Sequence, residues 1–411
     1  MSRVIYFGVD LHGHVNCSIG LVKKLVEKGE VVTYYCSDQF RDKIEGTGAK
    51  FKSYRGLLGF GTYDGNGIDT FLMFADYLLE KSRIIMDELI HEIEALKPDY
   101  IIHDAFCYWG KEVSKRLGIP GISLTTHYPF IDEMSNIDSK LFMETILRAD
   151  NEAIYRKYRG KEGFYRKLMD KTSKMMSKKY NLEDANVIND IFGSKEKLNI
   201  IFSSRKFQLY SEAFDDSYVF VGYSINPRVE EVDFPYEKLS DKPLIYIAFG
   251  TIFNETLDIY RNCIEAFGDT ENQVVLSIGN KIKVEDLDYI PDNFIIRSYV
   301  PQLEILKYTD VFVSHGGTNS VYEAICMEVP FVIIPQSFDQ FMGGRMIEEA
   351  KIGIYIGNDE VGTEQLKNAV NEVLTNEKYK NNSTKIRKSL DATGGLDYAV
   401  NRIFEYIGQK P

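Results

Sequence analysis

The sequence predicts an α/β protein built from two doubly wound domains, and three observations carry that reading. Short apolar runs of strand length alternate with amphipathic helical stretches, which implies parallel sheets with right-handed crossovers. The alternation runs through the first half, is interrupted, and restarts near residue 244. The chain has 411 residues, which suits two domains of roughly 200 residues better than one.

The elements follow in order. Arg3–Phe7 is a short buried strand, and a loop, Gly8 to Val15, leads into a helix over Asn16–Lys28. Ile19, Val22, Leu25 and Val26 share one face of that helix, and Gly29 stops it. Val31–Cys36 is the next strand, followed by a helix at Asp38–Glu45, a strand near Phe51 and a glycine-rich loop, GLLGFGTYDGNG. A long helical pattern covers Ile68–Leu96 and ends before Pro98. Then come the strand Tyr100–His103 with Asp104 at its end, a helix over Tyr108–Leu117 and the strand Gly121–Thr125. Residues 131–190 are helical and polar and are expected to wall a pocket; the strands Leu198–Phe202 and Tyr218–Val221 close this half. Within that wall, the densest basic run (RKLMDKTSKMMSKK, 166–179) has helical spacing and reads as a solvated face. A polar stretch with two prolines, 224–242, holds the linker. The second half offers strands at Leu244–Phe249, Val274–Ser277, Phe294–Ser298, Val311–Ser314, Phe331–Ile334 and Gly353–Ile356, then helices over 363–375, 378–390 and 396–408.

Composition excludes several classes. Hydrophobic content of 44% and charged content of 27% are those of a globular enzyme. A net charge of −12 argues against a nucleic-acid surface. The five cysteines, Cys17, Cys36, Cys107, Cys263 and Cys326, are scattered and form no C-x-x-C pair, so neither zinc nor a disulfide framework is expected. No apolar run reaches membrane-spanning length and the N-terminus lacks a signal-peptide layout, so a cytoplasmic protein is expected.

In a doubly wound sheet of order 3-2-1-4-5, ligands bind beyond the carboxyl ends of strands one and four, where the strand order reverses. In the first half this brings the loop Asp10-Leu11-His12-Gly13-His14 toward His103-Asp104. A His–Asp pair with no serine or cysteine nucleophile suggests a general base, with the carboxylate fixing the imidazole tautomer. In the second half the same rule brings Gly250-Thr251 toward His315-Gly316. There a strand, His315-Gly316-Gly317 and a helix beginning near Thr318-Asn319-Ser320 form a turn whose amide groups suit a phosphate. Glu323, one turn into the helix, is placed to take ribose hydroxyls, and Asp339-Gln340 follow the next strand with groups for a sugar. Asp286-Leu287-Asp288 has a metal-binding D-x-D spacing but lies in a polar loop away from either switch point, so it reads as solvated.

The stretch 300–340, with V-P-Q, H-G-G-x-N-S, E, P and D-Q in that order, resembles the donor-binding signature of family 1 glycosyltransferases, the UDP-sugar-dependent enzymes that modify natural products. H-G-H-V-N followed by G-L-V-K-x-L-V is similar to the bacterial branch acting on macrolides and flavonoids. The resemblance spans nearly the whole chain and implies the GT-B fold, two facing Rossmann-like domains with a cleft between them. It implies an acceptor-binding domain at 1–225, a linker at 226–242, a nucleotide-sugar domain at 243–392, and a C-terminal helix within 393–411 returning to the first domain.

Carried onto this sequence, the resemblance makes His14 the base and Asp104 its partner, with His12 the competing candidate. Tyr299 would stack on the nucleobase and Gln302 contact base or ribose. Thr251, His315, Thr318, Asn319 and Ser320 would bind the diphosphate with Gly317 allowing its approach, Glu323 the ribose, and Asp339 and Gln340 the transferred sugar. Phe60, Phe106, Trp109 and His127 are candidates for the acceptor pocket, to which Phe74 and Phe130 add aromatic content. His103 is expected in the core and His91 in solvent. The expected activity is inverting, metal-independent transfer of a hexose, glucose in the first instance, from a UDP-sugar to a hydroxyl of a small hydrophobic acceptor. No cofactor is implied beyond that co-substrate. The rival readings are a nucleotide-sugar epimerase and a catalytically silent helper of a partner transferase.

Overall fold

The computed structural model describes residues 1–59, 67–147, 163–223, 225, 232–250, 257–336, 339–357 and 361–408. Phe60 and Thr251 lie outside the described residues, as do 148–162 of the expected pocket wall and 226–231 of the expected linker. The chain divides into two compact units, Met1–Asn226 with Leu390–Pro411, and Pro227–Ser389.

The first unit contains β1 (Arg3–Phe7), β2 (Val31–Cys36), β3 (Lys50–Ser53), β4 (Tyr100–Asp104), β5 (Gly121–Thr125), β6 (Asn199–Ile201) and β7 (Tyr218–Phe220). They form one parallel sheet in the order β3-β2-β1-β4-β5-β6-β7. Both faces are covered, which is why strands such as β4 and β5 are buried along their whole length. On one face Tyr6, Tyr34, Ile102 and Leu124 pack with Leu21, Val22 and Leu25 of the His12–Glu27 helix. On the other, Ile5, Phe7, Tyr35 and Ile101 pack with Ile85, Leu89 and Ile93 of the 29-residue helix Ile68–Leu96.

One boundary differs from the sequence reading in a way that matters. The first helix begins at His12, not Asn16, so His14 stands on its first turn rather than in a loop. Leu11 at the helix start makes no side-chain cap, so no Ser, Thr, Asp or Asn signals this boundary.

Among the described residues, the stretch 131–190 is helical only in separate pieces. A 3₁₀ turn at Asp132–Asn136, the helix Phe164–Tyr180 and a wide π-type turn at Val187–Phe192 are tied together by the buried carboxylate of Asp132. That carboxylate accepts from Tyr165 Oη at 2.9 Å and Asn186 Nδ2 at 3.0 Å and pairs with Arg166, so the buried charge is compensated. Lys167, Lys171, Lys174 and Lys178 on the same helix are exposed.

The second unit holds β8 (Leu244–Ala248), β9 (Gln273–Ser277), β10 (Phe294–Arg297), β11 (Val311–Ser314), β12 (Phe331–Ile333) and β13 (Gly353–Tyr355) in the parallel order β10-β9-β8-β11-β12-β13. Ile247, Leu276, Val313 and Val332 meet Cys263 and Phe267 of the helix Leu257–Phe267 and Leu366 and Val370 of the helix Thr363–Thr375. Residues 227–242 belong to this unit, and their described part is anchored by Gln273, whose carboxamide bonds Ser240 N at 2.8 Å and Lys238 O at 2.6 Å. Among the described residues, no helix is long and apolar enough to cross a membrane.

The last helix, Gly395–Tyr406, belongs to the first unit. Its Ala399, Val400, Ile403 and Phe404 enter the cluster around Leu21 and Leu25, and Lys24 Nζ meets Asp397 Oδ1 at 2.8 Å. Ile403 has no exposed surface. Ile403→Ala should therefore destabilise the first unit by about 2–4 kcal/mol. The single tryptophan, Trp109, is buried in that unit, so its fluorescence during urea unfolding reports the shift.

Candidate active site

Strand order places the two chemical centres. In the first unit β1 and β4 are neighbours, with Phe7 beside His103, and the order reverses between them. The chain leaves β1, turns through residues 8–11 and enters the helix that carries His14, while Asp104 is the last residue of β4. His14 Nδ1 lies 2.8 Å from Asp104 Oδ2; the His14 side chain is 12% exposed and that of Asp104 1%.

A buried carboxylate must be satisfied on both oxygens. Asp104 Oδ1 accepts from the Phe106 backbone N–H at 2.9 Å, and Oδ2 accepts from the Thr126 hydroxyl at 2.7 Å as well as from His14. Burial pushes the proton affinity of Asp104 up; the charge and hydrogen bond of His14, then the bonds from Phe106 and Thr126, outweigh it and hold the carboxyl below its ordinary pKa. An ionised carboxylate facing Nδ1 requires the proton on that nitrogen, so Nε2 carries the lone pair. Thr126, which had no place in the sequence reading, also lies 2.6 Å from His14 Nδ1.

An aromatic wall adjoins the pair. The Phe106 ring is 5.2 Å from that of His14 and stacks on His127 at 4.6 Å and 13°. Phe74 meets Phe106 edge-on at 5.3 Å, and Phe130 is 5.3 Å from His127. His127 donates from Nδ1 to the Tyr128 carbonyl at 2.8 Å, and its buried Nε2 has no partner among the described residues. Burial first, then the neighbouring His14, lowers its pKa to about 4.

The structure removes Trp109 from the acceptor candidates. Its indole is fully buried among Ile5, Phe7 and Ile101 and donates from Nε1 to Tyr54 Oη at 3.1 Å, so no face remains for a ligand. His12 is separated from Asp104: it is exposed and packs edge-on against Phe40 at 4.8 Å. His103 is buried, with Nδ1 3.1 Å from the Asp104 carbonyl and Nε2 3.4 Å from Glu196 Oε1, and His91 is 89% exposed.

In the second unit β8 and β11 are neighbours with Ala248 beside Ser314, so the chain beyond each strand meets its counterpart. The His315 ring lies against both glycine turns. A Cβ on Gly250 would fall 2.8 Å from His315 Nε2, and one on Gly317 2.4 Å from the same atom. Gly250 and Gly316 also have φ of +78° and +85°, which side chains resist. Gly317 does not, so the His315 ring is what forbids a side chain there, a reason the sequence had assigned to a ligand. Burial lowers the His315 pKa to about 4, partly offset by a bond to the Ala248 backbone, which keeps the imidazole neutral.

The helix Thr318–Cys326 starts after Gly317 with no side-chain cap, leaving its first amides to another acceptor. The structure joins several candidates there. Thr318 Oγ1 donates to Asp339 Oδ2 at 2.9 Å. Gln302 Nε2 lies 2.7 Å from Glu323 Oε2 and 3.4 Å from Ser320 Oγ, while Tyr246 Oη donates to Gln302 Oε1 at 3.2 Å. Tyr246 is a partner the sequence did not reveal, because it belongs to the distant strand β8. Asn319 is half-buried on the first turn of the same helix. Tyr299, just beyond β10, is 42% exposed and offers an open ring face. Gln340 is buried and its carboxamide oxygen accepts from Gln336 N at 2.8 Å, which gives it a structural task in the turn after β12. Asp286 accepts from the Lys283 backbone at 2.8 Å and Asp288 pairs with Arg261 at 3.0 Å.

Comparison with known proteins identifies the family. Residues 261–395 match a family model described as the erythromycin biosynthesis protein CIII-like C-terminal domain. A Bacillus subtilis (strain 168) protein described as an uncharacterized UDP-glucosyltransferase, YojK, is 33% identical over 413 residues, covering 100% of this chain and 98% of its own. The chain belongs to the family 1 glycosyltransferases. The oleandomycin glycosyltransferase of Streptomyces antibioticus is 25% identical to this glycosyltransferase over 414 residues, covering 98% of this chain and 90% of its own. The solved glycotransferase of kitacinnamycin superposes with a TM-score of 0.77 at 21% identity, covering 100% of this chain and 99% of that one, which shows the GT-B fold. Family membership does not favour the epimerase or the silent helper.

His127 and His315 make a pH prediction for the glycosyltransferase. Burial depresses both from 6.5 to about 4, so between these values the unfolded chain binds protons that the folded chain does not. Stability should be highest above pH 6.5, fall as the pH drops toward 4, and level off below. Two imidazole resonances should titrate near pH 4 in NMR spectra, and His127→Gln and His315→Gln should each flatten the dependence of the melting temperature on pH.

Proposed function

We propose that this glycosyltransferase transfers a hexose, with glucose as the first donor to test, from a UDP-sugar to a hydroxyl of a small hydrophobic acceptor, with inversion and without a metal. The observation that carries the reading is the His14–Asp104 pair, with Nδ1 bonded to a buried carboxylate at 2.8 Å and Nε2 left as the base. In this mechanism His14 Nε2 takes the proton of the acceptor hydroxyl as the oxygen attacks the anomeric carbon. The bond to the diphosphate breaks on the opposite face, and UDP departs with the electron pair. One base and one displacement give a β-glycoside from an α-linked donor. General-base catalysis of this kind supplies about 10²–10⁴-fold.

The donor is assigned to the second unit. Tyr299 stacks on the base, Gln302 and Glu323 take base and ribose, and Asp339 with Gln340 hold the sugar. His315, Thr318, Asn319 and Ser320 hold the diphosphate, together with Thr251, where the uncapped helix start stabilises the leaving charge in place of a cation. The lowered pKa of His315 keeps it uncharged near neutrality, so it adds no charge of its own to the diphosphate site. The acceptor is assigned to the wall of Phe106 and His127, together with Phe60. UDP is supported by the name of the Bacillus subtilis relative and a natural-product acceptor such as a macrolide by that of the oleandomycin enzyme, and flavonoids are a further acceptor class to test. Five buried cysteines that form no disulfide support a reducing cytoplasm.

The test is product mass from UDP-glucose and a flavonol in the presence of EDTA, wild type beside His14→Ala. A hexose adduct from wild type, reduced at least about 100-fold by the substitution, is expected. Equal adduct from both proteins would reject His14 as the base.

A further inference from the structure

We propose that Thr126 is a third member of the base machinery, a positioning residue that holds the plane of the His14 ring, whose tautomer Asp104 sets. The inference rests on His14 being the base in the function proposed above. Thr126 directly follows β5, which pairs with β4 so that Leu124 lies beside Asp104; the hydroxyl is thereby delivered to the end of β4. Three atoms lie mutually within hydrogen-bond distance: His14 Nδ1 to Asp104 Oδ2 at 2.8 Å, Thr126 Oγ1 to Asp104 Oδ2 at 2.7 Å, and Thr126 Oγ1 to His14 Nδ1 at 2.6 Å.

The carboxylate has no proton to give, so the triangle has two protons for three contacts. If the threonine hydroxyl pointed at Nδ1, that nitrogen would be bare. Its lone pair would then face an ionised oxygen at 2.8 Å, and Oδ2 would lose both its donors. The arrangement that satisfies every atom has Thr126 O–H directed to Oδ2 and the Nδ1 proton shared between Oδ2 and Oγ1. Only the tautomer with Nε2 bare fits it. Two acceptors on one N–H also pin the ring against rotation, where Asp104 alone would leave it a hinge. During transfer the acceptor proton stays on Nε2 until it is lost to solvent. No proton passes to Asp104 or Thr126, and the imidazolium charge is shared by the carboxylate and the Oγ1 lone pair. Thr126 is 4% exposed, so the hydroxyl is shielded from water that could replace it.

Thr126→Val keeps the shape and removes the hydroxyl, and Thr126→Ser restores the hydroxyl without the methyl. In the full chain, Thr126→Val should lower kcat about tenfold or more, because it removes a hydrogen bond to a charged pair. KM for donor and acceptor should stay within about twofold, and Thr126→Ser should recover most of kcat. The ¹⁵N signals of the His14 ring should show the Nδ1–H form in both proteins, with added ring motion appearing in relaxation dispersion for Thr126→Val and not for wild type. A Thr126→Val enzyme with wild-type kcat, a serine variant as slow as the valine one, or equal His14 ring motion in both proteins would overturn the inference. If wild type transferred no sugar, the proposed activity would fall, while the His14 ring relaxation would still decide the role of Thr126.

Discussion

Asp104 is a carboxylate at the end of a buried strand, with 1% of its side chain exposed, and its ionisation is the constraint on which the first unit's chemistry depends. A bare carboxylate in such a place would take up a proton. Three donors prevent this, and they arrive from three separate segments: the first turn of the first helix, the turn after β4 and the residue after β5. The sheet order lets them converge. With β1 and β5 on either side of β4, the ends of all three strands lie together. The same carboxylate that is costly to bury thus sets the tautomer of His14 and the direction of its free nitrogen.

The second unit repeats the topology with the opposite electrostatics. Its switch point also holds a histidine, but among the described residues no carboxylate is bonded to the His315 ring. Burial lowers the His315 pKa to about 4 and leaves a neutral group beside an uncapped helix start. Such a site favours a negative ligand without a charged side chain of its own. In the proposed function one sheet design therefore supplies both a basic nitrogen and an anion cradle, and the difference lies in whether a carboxylate ends the neighbouring strand. In the proposed reaction these are the groups that the attacking hydroxyl and the departing diphosphate require.

Much of this was legible in the sequence because strands covered on both faces read as continuous apolar runs. Val311–Ser314, Tyr100–Asp104 and Gly121–Thr125 stand where those runs end. The strand order then brought His14 to Asp104 from 90 positions apart. What escaped was set by packing between distant segments. No capping residue announces the start of the first helix at His12, so His14 read as a loop residue. Trp109 read as a pocket aromatic but faces Tyr54 inside the core. Thr126 and Tyr246 are ordinary strand-end and strand residues until their hydroxyls meet side chains far away in sequence. Gly317 read as a glycine kept for a ligand, and the structure adds a second reason, since a Cβ there would meet the His315 ring.

The measurement that tests the account most directly is the anomeric configuration of the product, read from the proton coupling at the new glycosidic carbon. A single displacement by a hydroxyl deprotonated at His14 predicts a β-glycoside from α-linked UDP-glucose. An α-glycoside would require two displacements or a front-face attack and would contradict a mechanism built on the His14–Asp104 pair.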